Sequence, residues 1–125
     1  MNLSKSLQAL VVDDNWYNCD IFRIALEKAG YTVDIAYNGK TGLEQLYTRP
    51  YHILVIDLQM PIMDGISVLK EIKESDIRQN MYVLVVTANA YMATDELDLL
   101  SDMVMFKPVN ISDLTFFLER IKRTL

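Results

Sequence analysis

Three aspartates, a threonine and a lysine stand directly behind short apolar runs in this sequence. Ala9-Leu10-Val11-Val12 ends in Asp13 and Asp14, and His52-Ile53-Leu54-Val55-Ile56 ends in Asp57. Tyr82-Val83-Leu84-Val85-Val86 ends in Thr87, and Met103-Val104-Met105-Phe106 ends in Lys107-Pro108. Clustered carboxylates repel one another, and a hard divalent cation compensates them; Mg²⁺ takes one or two carboxylates and keeps several waters. Asp13 and Asp14 on one loop, with Asp57 beside them, could hold one such ion and leave a coordination position for a phosphoryl oxygen. A carboxylate can also be the nucleophile, giving an aspartyl phosphate. Lys107 would then face the phosphoryl group as a point charge, and Thr87 would donate a hydroxyl hydrogen bond to it. Ala88 leaves a donor room to approach in line. Chemistry of this kind is positioning plus charge stabilisation.

Taken singly, each feature has a plainer reading. An Asp pair after a strand can be a helix N-cap. Thr87 can be a turn residue, and Lys107-Pro108 a cis-proline turn. A carboxylate that ends an apolar run, as Asp57 does, is costly unless something pairs with it. The functional reading rests on all of them falling at successive strand ends, and that depends on the elements which carry them.

The four runs named above, with Thr32-Val33-Asp34-Ile35-Ala36, read as five strands. The runs before Asp13, Asp57 and Thr87 are apolar at nearly every position, as strands buried on both faces are. The run from Thr32 alternates more, as an edge strand does. Between them lie stripes of helical period. Phe22, Ala25, Leu26 and Ala29 form the first, stopped by Gly30. Leu43, Leu46 and Tyr47 form the second, ahead of Pro50. Ile66, Leu69 and Ile72 form the third, capped by Asp64. Ala93, Leu97 and Leu100 form the fourth. Leu114, Phe117, Leu118 and Ile121 form the fifth, capped by Asn110 or Ser112. Five βα units imply an α/β fold, a parallel sheet with helices on both faces and right-handed crossovers. Ligands of such sheets bind at the carboxyl ends of the strands. That is the edge where the carboxylates, hydroxyl and ammonium would converge.

Composition removes several function classes. With 125 residues, 51% of them hydrophobic and 23% charged, the chain has the size of one domain and enough apolar surface for a core, so 1–125 is expected to be a single domain. Twelve basic against 17 acidic residues, net −5, disfavour direct binding to nucleic acid, which needs a basic face. One cysteine, Cys19, and one histidine, His52, leave no internal disulfide and no zinc spacing. The first apolar run meets Asp13 without a small-residue cleavage site, so no signal peptide is expected. The longest uncharged stretch, from Gln79 to Thr94, is polar in places and too short to cross a membrane. A cytoplasmic location with no membrane contact is expected.

The stretches Val11-Val12-Asp13-Asp14-Asn15, Ile56-Asp57-Leu58-Gln59-Met60-Pro61-Ile62-Met63-Asp64-Gly65, Val86-Thr87-Ala88 and Lys107-Pro108 resemble the receiver domain of two-component response regulators. The likeness covers essentially the whole chain, and the segment from Asp57 to Gly65 is its most specific part. Asn18 and Ala36-Tyr37-Asn38-Gly39 are also similar to receivers of hybrid histidine kinases. The resemblance implies a flavodoxin-like (βα)5 three-layer sandwich with strand order 2-1-3-4-5. It implies Asp57 as phosphoacceptor, Asp13 and Asp14 as the Mg²⁺-binding pair, and the Gln59 backbone carbonyl as a further ligand. It implies Thr87 as the switch hydroxyl and Lys107 as the phosphate-sensing lysine. The donor would be a phosphohistidine on a histidine kinase or phosphotransfer protein. The chain would catalyse only its own phosphorylation and dephosphorylation and act through a downstream protein target. The face made by the fourth helix, fifth strand and fifth helix would dock partners or a second copy.

The chain departs from the family pattern three residues before Lys107. Many receivers carry Tyr or Phe there, and this chain carries Val104, which is stiff at χ1 and has no ring to rotate. The interval from Thr87 to Lys107 is short, so the fourth helix or its following loop is expected to be trimmed. Phe106 lies on the same side of its strand as Val104 but beside the lysine. Trp16 reads as a helix-start aromatic or as a shield and reporter of metal binding. Met92, Met103 and Met105 read for the most part as core filling, with an adaptable docking surface that Tyr91 could join as the alternative, and His52 reads as structural. Gln59 and Asn89 would border the phosphoryl group. Two other functions compete. A pseudo-receiver binding module would keep the fold without the chemistry. A haloacid dehalogenase-type phosphatase would need Asp-x-Asp, where this chain has adjacent Asp13 and Asp14. The start at Met1 favours a stand-alone protein only weakly over a piece of a larger hybrid kinase.

Overall fold

A computed structural model describes residues 6–125; Met1 and the rest of residues 1–5 of the expected domain lie outside the described residues. The apolar runs form β1 (Leu7–Val12), β2 (Tyr31–Ala36), β3 (Ile53–Ile56), β4 (Tyr82–Thr87) and β5 (Met103–Phe106). They make one parallel sheet in the order 2-1-3-4-5, the flavodoxin-like order. The near-continuously apolar strands β1, β3 and β4 occupy the middle, where both faces are covered, and the alternating β2 takes an edge. Register sets the level of the strand ends. Val12 pairs with Ile56, Ile56 with Val85, and Thr87 with Phe106. The residues that follow β1, β3 and β5, together with the last residue of β4, therefore come out on one edge.

Helices α1 (Trp16–Lys28), α2 (Gly39–Thr48), α3 (Gly65–Ile72), α4 (Asp76–Gln79), α5 (Asp95–Leu100) and α6 (Ile111–Lys122) cover the two faces. On one face, Leu10, Val12, Leu54, Ile56, Val83 and Val85 pack against Leu46 of α2, Val68, Leu69 and Ile72 of α3, and Leu97 and Leu100 of α5. On the other, Ala9, Val11, Ile53, Val55, Leu84 and Val86 pack against Phe22, Ala25 and Leu26 of α1 and Leu114 and Leu118 of α6. Lys122 donates to the Ala29 carbonyl oxygen at 3.0 Å, so the end of α6 caps the end of α1. His52 is structural: its Nδ1 accepts from the Gln8 backbone N–H at 2.9 Å, tying the start of β3 to β1.

The helix pattern differs from expectation in four places. An extra turn, α4, follows α3 and carries no buried residue, so no apolar stripe announced it. The fourth expected helix is divided: a 3₁₀ turn (Ala90–Met92) comes first, Thr94 accepts from the Leu97 N–H as a cap, and α5 has only six residues. Ala93 lies outside it and is exposed, because the cap stands between Ala93 and the buried Leu97 and Leu100. Tyr47 of α2 faces outward, since Leu46 and the small Gly39 and Gly42 make that helix's buried side. Asn110, rather than Ser112, caps α6 by accepting from the Asp113 N–H. Asp64 caps α3 as expected.

Candidate functional site

Asp13 is fixed from several directions. Its N–H donates to the Ala36 carbonyl oxygen at 3.1 Å, across to the end of β2. Its Oδ1 accepts from the Asn15 N–H at 2.9 Å, and its carbonyl oxygen accepts from the Cys19 thiol at 3.2 Å. The cap of α1 is Asn15, whose side chain accepts from the Asn18 N–H. The Asp pair is thus not the helix cap, and the second carboxylate oxygen of Asp13 remains available to the site. Asp13 is 1% exposed, whereas Asp14 is exposed. Burial, together with the charge of Asp13, pushes the Cys19 thiol up to about 12, so it stays protonated as a donor.

Asp57 follows β3, its N–H bound to the Val12 carbonyl oxygen at 2.9 Å, and it is 7% exposed. Lys107 follows β5, its N–H bound to the Thr87 carbonyl oxygen at 2.9 Å. Its Nζ lies 3.0 Å from Asp13 Oδ2 and 3.3 Å from Asp57 Oδ2, and its side chain is 18% exposed. Burial raises the Asp57 carboxyl above its ordinary value; Lys107 opposes the rise, and the charge of Asp13 adds to it. Burial pulls the Lys107 ammonium down, but the contacts with Asp13 and then Asp57 outweigh it, and the net direction is upward. One carboxylate oxygen each from Asp13, Asp14 and Asp57 lie within 4.8 Å of one another. Three carboxylates face one ammonium, so the cluster lacks cationic charge, and its all-oxygen donors with one exposed member suit Mg²⁺.

Thr87 is fully buried at the end of β4, where its Oγ1 accepts from the Asn89 N–H at 3.1 Å. The Lys107–Pro108 peptide is cis. Val104 packs against the core face that holds α3 and α5, together with Met92, while Met105 packs against the opposite face. Met103, Phe106 and Tyr91 are exposed, so of the three methionines only Met92 and Met105 serve the core. Trp16 opens α1, 67% exposed, with its ring edge against Tyr17.

Two glycines and one isoleucine shape the loop after Asp57. Gly65 opens α3 and donates to the Leu58 carbonyl oxygen at 3.0 Å; a side chain there would strike the Asp57 carbonyl oxygen. Gly39 opens α2 and lies against the backbone of Met63. Between them Met63 N–H closes a tight turn onto the Pro61 carbonyl oxygen at 2.8 Å, with Ile62 at φ +75°. Gln59 is exposed, and its backbone N–H favours the Asp57 carboxylate. The close approaches of Gly39 and Gly65 were not deducible from residue spacing. A glycine's role of this kind depends on what approaches it through space, and an isoleucine does not advertise positive φ.

The sequence matches the family described as response regulator receiver domain over residues 9–119. The transcriptional regulatory protein DltR of Streptococcus agalactiae is 31% identical over 108 residues, 86% of this chain and 48% of DltR. The aerobic respiration control sensor protein ArcB of Escherichia coli is 32% identical over 117 residues, 92% of this chain and 15% of ArcB. The chain thus spans about half or less of these curated relatives. The response regulator protein TrrA of Thermotoga maritima, solved in complex with Mg²⁺ and BeF, superposes with a TM-score of 0.81 at 26% identity, covering 95% of this chain and 99% of that one.

Proposed function

The chain belongs to the response regulator receiver domain family of two-component systems, and from that premise we propose that it is phosphorylated on Asp57 by a phosphohistidine of a histidine kinase or phosphotransfer protein. The observation that carries this reading is the placement of Lys107 Nζ between Asp13 and Asp57, with Asp14 completing the carboxylate cluster. Asp13, Asp14 and Asp57, with the Gln59 carbonyl, would hold Mg²⁺, which when bound offsets negative charge on phosphoryl oxygens. A carboxylate oxygen of Asp57 attacks phosphorus, an O–P bond forms, the P–N bond of the donor breaks, and the imidazole leaves and takes a proton. Lys107 exchanges its contact with the Asp57 carboxylate for one with the new phosphoryl group. Thr87, whose oxygen already accepts from Asn89, has its hydroxyl proton to give.

The added charge of about −1.5 to −2 is the signal. With Val104 in place of an aromatic, it biases the Thr87–Met92 segment and α5 directly rather than through a rotating ring. A downstream target would meet the face of α5, β5 and α6, where Met103 and Phe106 of β5 are exposed. A single receiver domain over 1–125 and a cytoplasmic location belong to the same reading; no helix of the described residues is long and apolar enough to cross a membrane. The pseudo-receiver alternative has the complete set of Asp13, Asp14, Asp57, Thr87 and Lys107 against it. Intact-mass measurement after incubation with Mg²⁺ and acetyl phosphate tests the proposal. One labile phosphoryl group on the wild type, absent from Asp57→Asn, is expected; an unlabelled, folded wild type that binds Mg²⁺ would return the chain to a binding module.

A further inference from the structure

We propose that Gly39, on α2 and outside the carboxylate cluster, is a positioning residue for the phosphoryl-transfer site: lacking a side chain, it sets how closely the 59–64 loop lies to the metal-binding carboxylates. The proposal rests on the receiver reading above and deepens it. A Cβ on Gly39 would run into the Met63 carbonyl oxygen, with the carbonyl carbon at 2.9 Å and Val68 Cγ2 at 3.0 Å. The first two are backbone atoms, so no rotamer change clears them, and either α2 or the loop must move. Helix α2 is pinned. Gly42 sits so close to Val12 of β1 that a Cβ there would meet the Val12 methyls, and Leu46 is buried in the core against the sheet. The loop is therefore the part that yields.

That loop is already held in a conformation it would not adopt alone. Ile62 is β-branched, yet it sits at φ +75° at the centre of the turn from Pro61 to Met63. Such a conformation is strained for a β-branched residue and persists only where its surroundings over-determine it. Burial of the isoleucine does not offset the strain, because the residue is 76% exposed. The clamp is the backbone contact with Gly39 on one side and the approach of Gly65 to the Asp57 carbonyl oxygen on the other. Displacing Met63 thus shifts the segment that runs back through Gln59 to Asp57.

The experiment compares wild type, Gly39→Ala, Gly42→Ala and Ile62→Pro. Two quantities are read: backbone hydrogen exchange over residues 59–65, and Mg²⁺ affinity by fluorescence of Trp16, the only tryptophan. Gly39→Ala is expected to speed exchange in the loop and weaken Mg²⁺ binding 10–100-fold, the range for groups that orient metal ligands. Gly42→Ala presses on the Val12 side chain and not on the loop, so it lowers thermal stability with exchange over residues 59–65 unchanged. Proline cannot take positive φ, so Ile62→Pro moves the loop from its solvent side, leaves α2 untouched and reproduces the Gly39→Ala result. It also decides the matter should Gly39→Ala not fold. Wild-type loop exchange and Mg²⁺ affinity in either folded variant, or equal losses of loop protection in Gly39→Ala and Gly42→Ala, overturn the proposal. A wild type without any Mg²⁺ response overturns the functional reading instead, and the exchange data still decide whether Gly39 places the loop.

Discussion

Lys107 holds two buried carboxylates together, and its removal leaves both without that cation. Breaking a buried ion pair from one side costs about 3 kcal/mol or more, so Lys107→Ala is expected to lose roughly that much stability in EDTA by urea denaturation. Mg²⁺ should recover more stability in this variant than in the wild type, because it replaces the missing cation. Asp57 behaves in the opposite sense. Its folded carboxyl titrates above its ordinary value, chiefly through burial. The native state therefore keeps the proton over a pH range in which the unfolded chain has released it. Stability of the metal-free protein falls as pH rises through that range and remains lower above it. Asp57→Asn should accordingly melt higher than wild type at neutral pH, Lys107 keeping Asp13 as partner, and the gain should vanish at acid pH where the wild-type carboxyl is protonated. Thermal scans of both proteins across pH check this; equal melting at neutral pH would contradict it. The candidate site was legible at this scale because a carboxylate or ammonium that ends an apolar run is conspicuous. Gly39 and Ile62 were not, since their importance arises from atoms far away along the chain.

Among the elements, α5 is the one whose form departs most from its sequence signal. Six residues are too few to be helical alone. The helix exists because Leu97 and Leu100 are buried against the sheet and Thr94 satisfies its first turn. The stripe of Ala93, Leu97 and Leu100 read correctly at its two leucines and wrongly at its alanine, because periodicity does not distinguish a helical residue from one just ahead of a cap. Helix α4 was missed for the converse reason: nothing on it is buried. Thr94→Ala should cost about 1 kcal/mol. The loss should be read as reduced exchange protection at the Asp98 and Ser101 amides, which bond to Thr94 and Leu97. A uniform loss across the sheet instead would show that α5 does not open by itself.

For the molecule as a whole, alternation of apolar runs and helical stripes was enough to give a parallel α/β sheet. Strand order came only with the family likeness, because local pattern does not say which strands are neighbours. The sheet nevertheless imposes a particular history on the site. Lys107 stands 94 residues from Asp13 and 50 from Asp57. Contacts at such separations reward the chain only after long loops have been closed. The cluster is thus expected to come together late, after the folding barrier, and a cation that binds it finds nothing comparable in the transition state. In a chevron analysis Mg²⁺ should lower the unfolding limb and leave the refolding limb in place. The ion that serves the chemistry would then act as a kinetic latch, lengthening the lifetime of the native state without hastening its arrival.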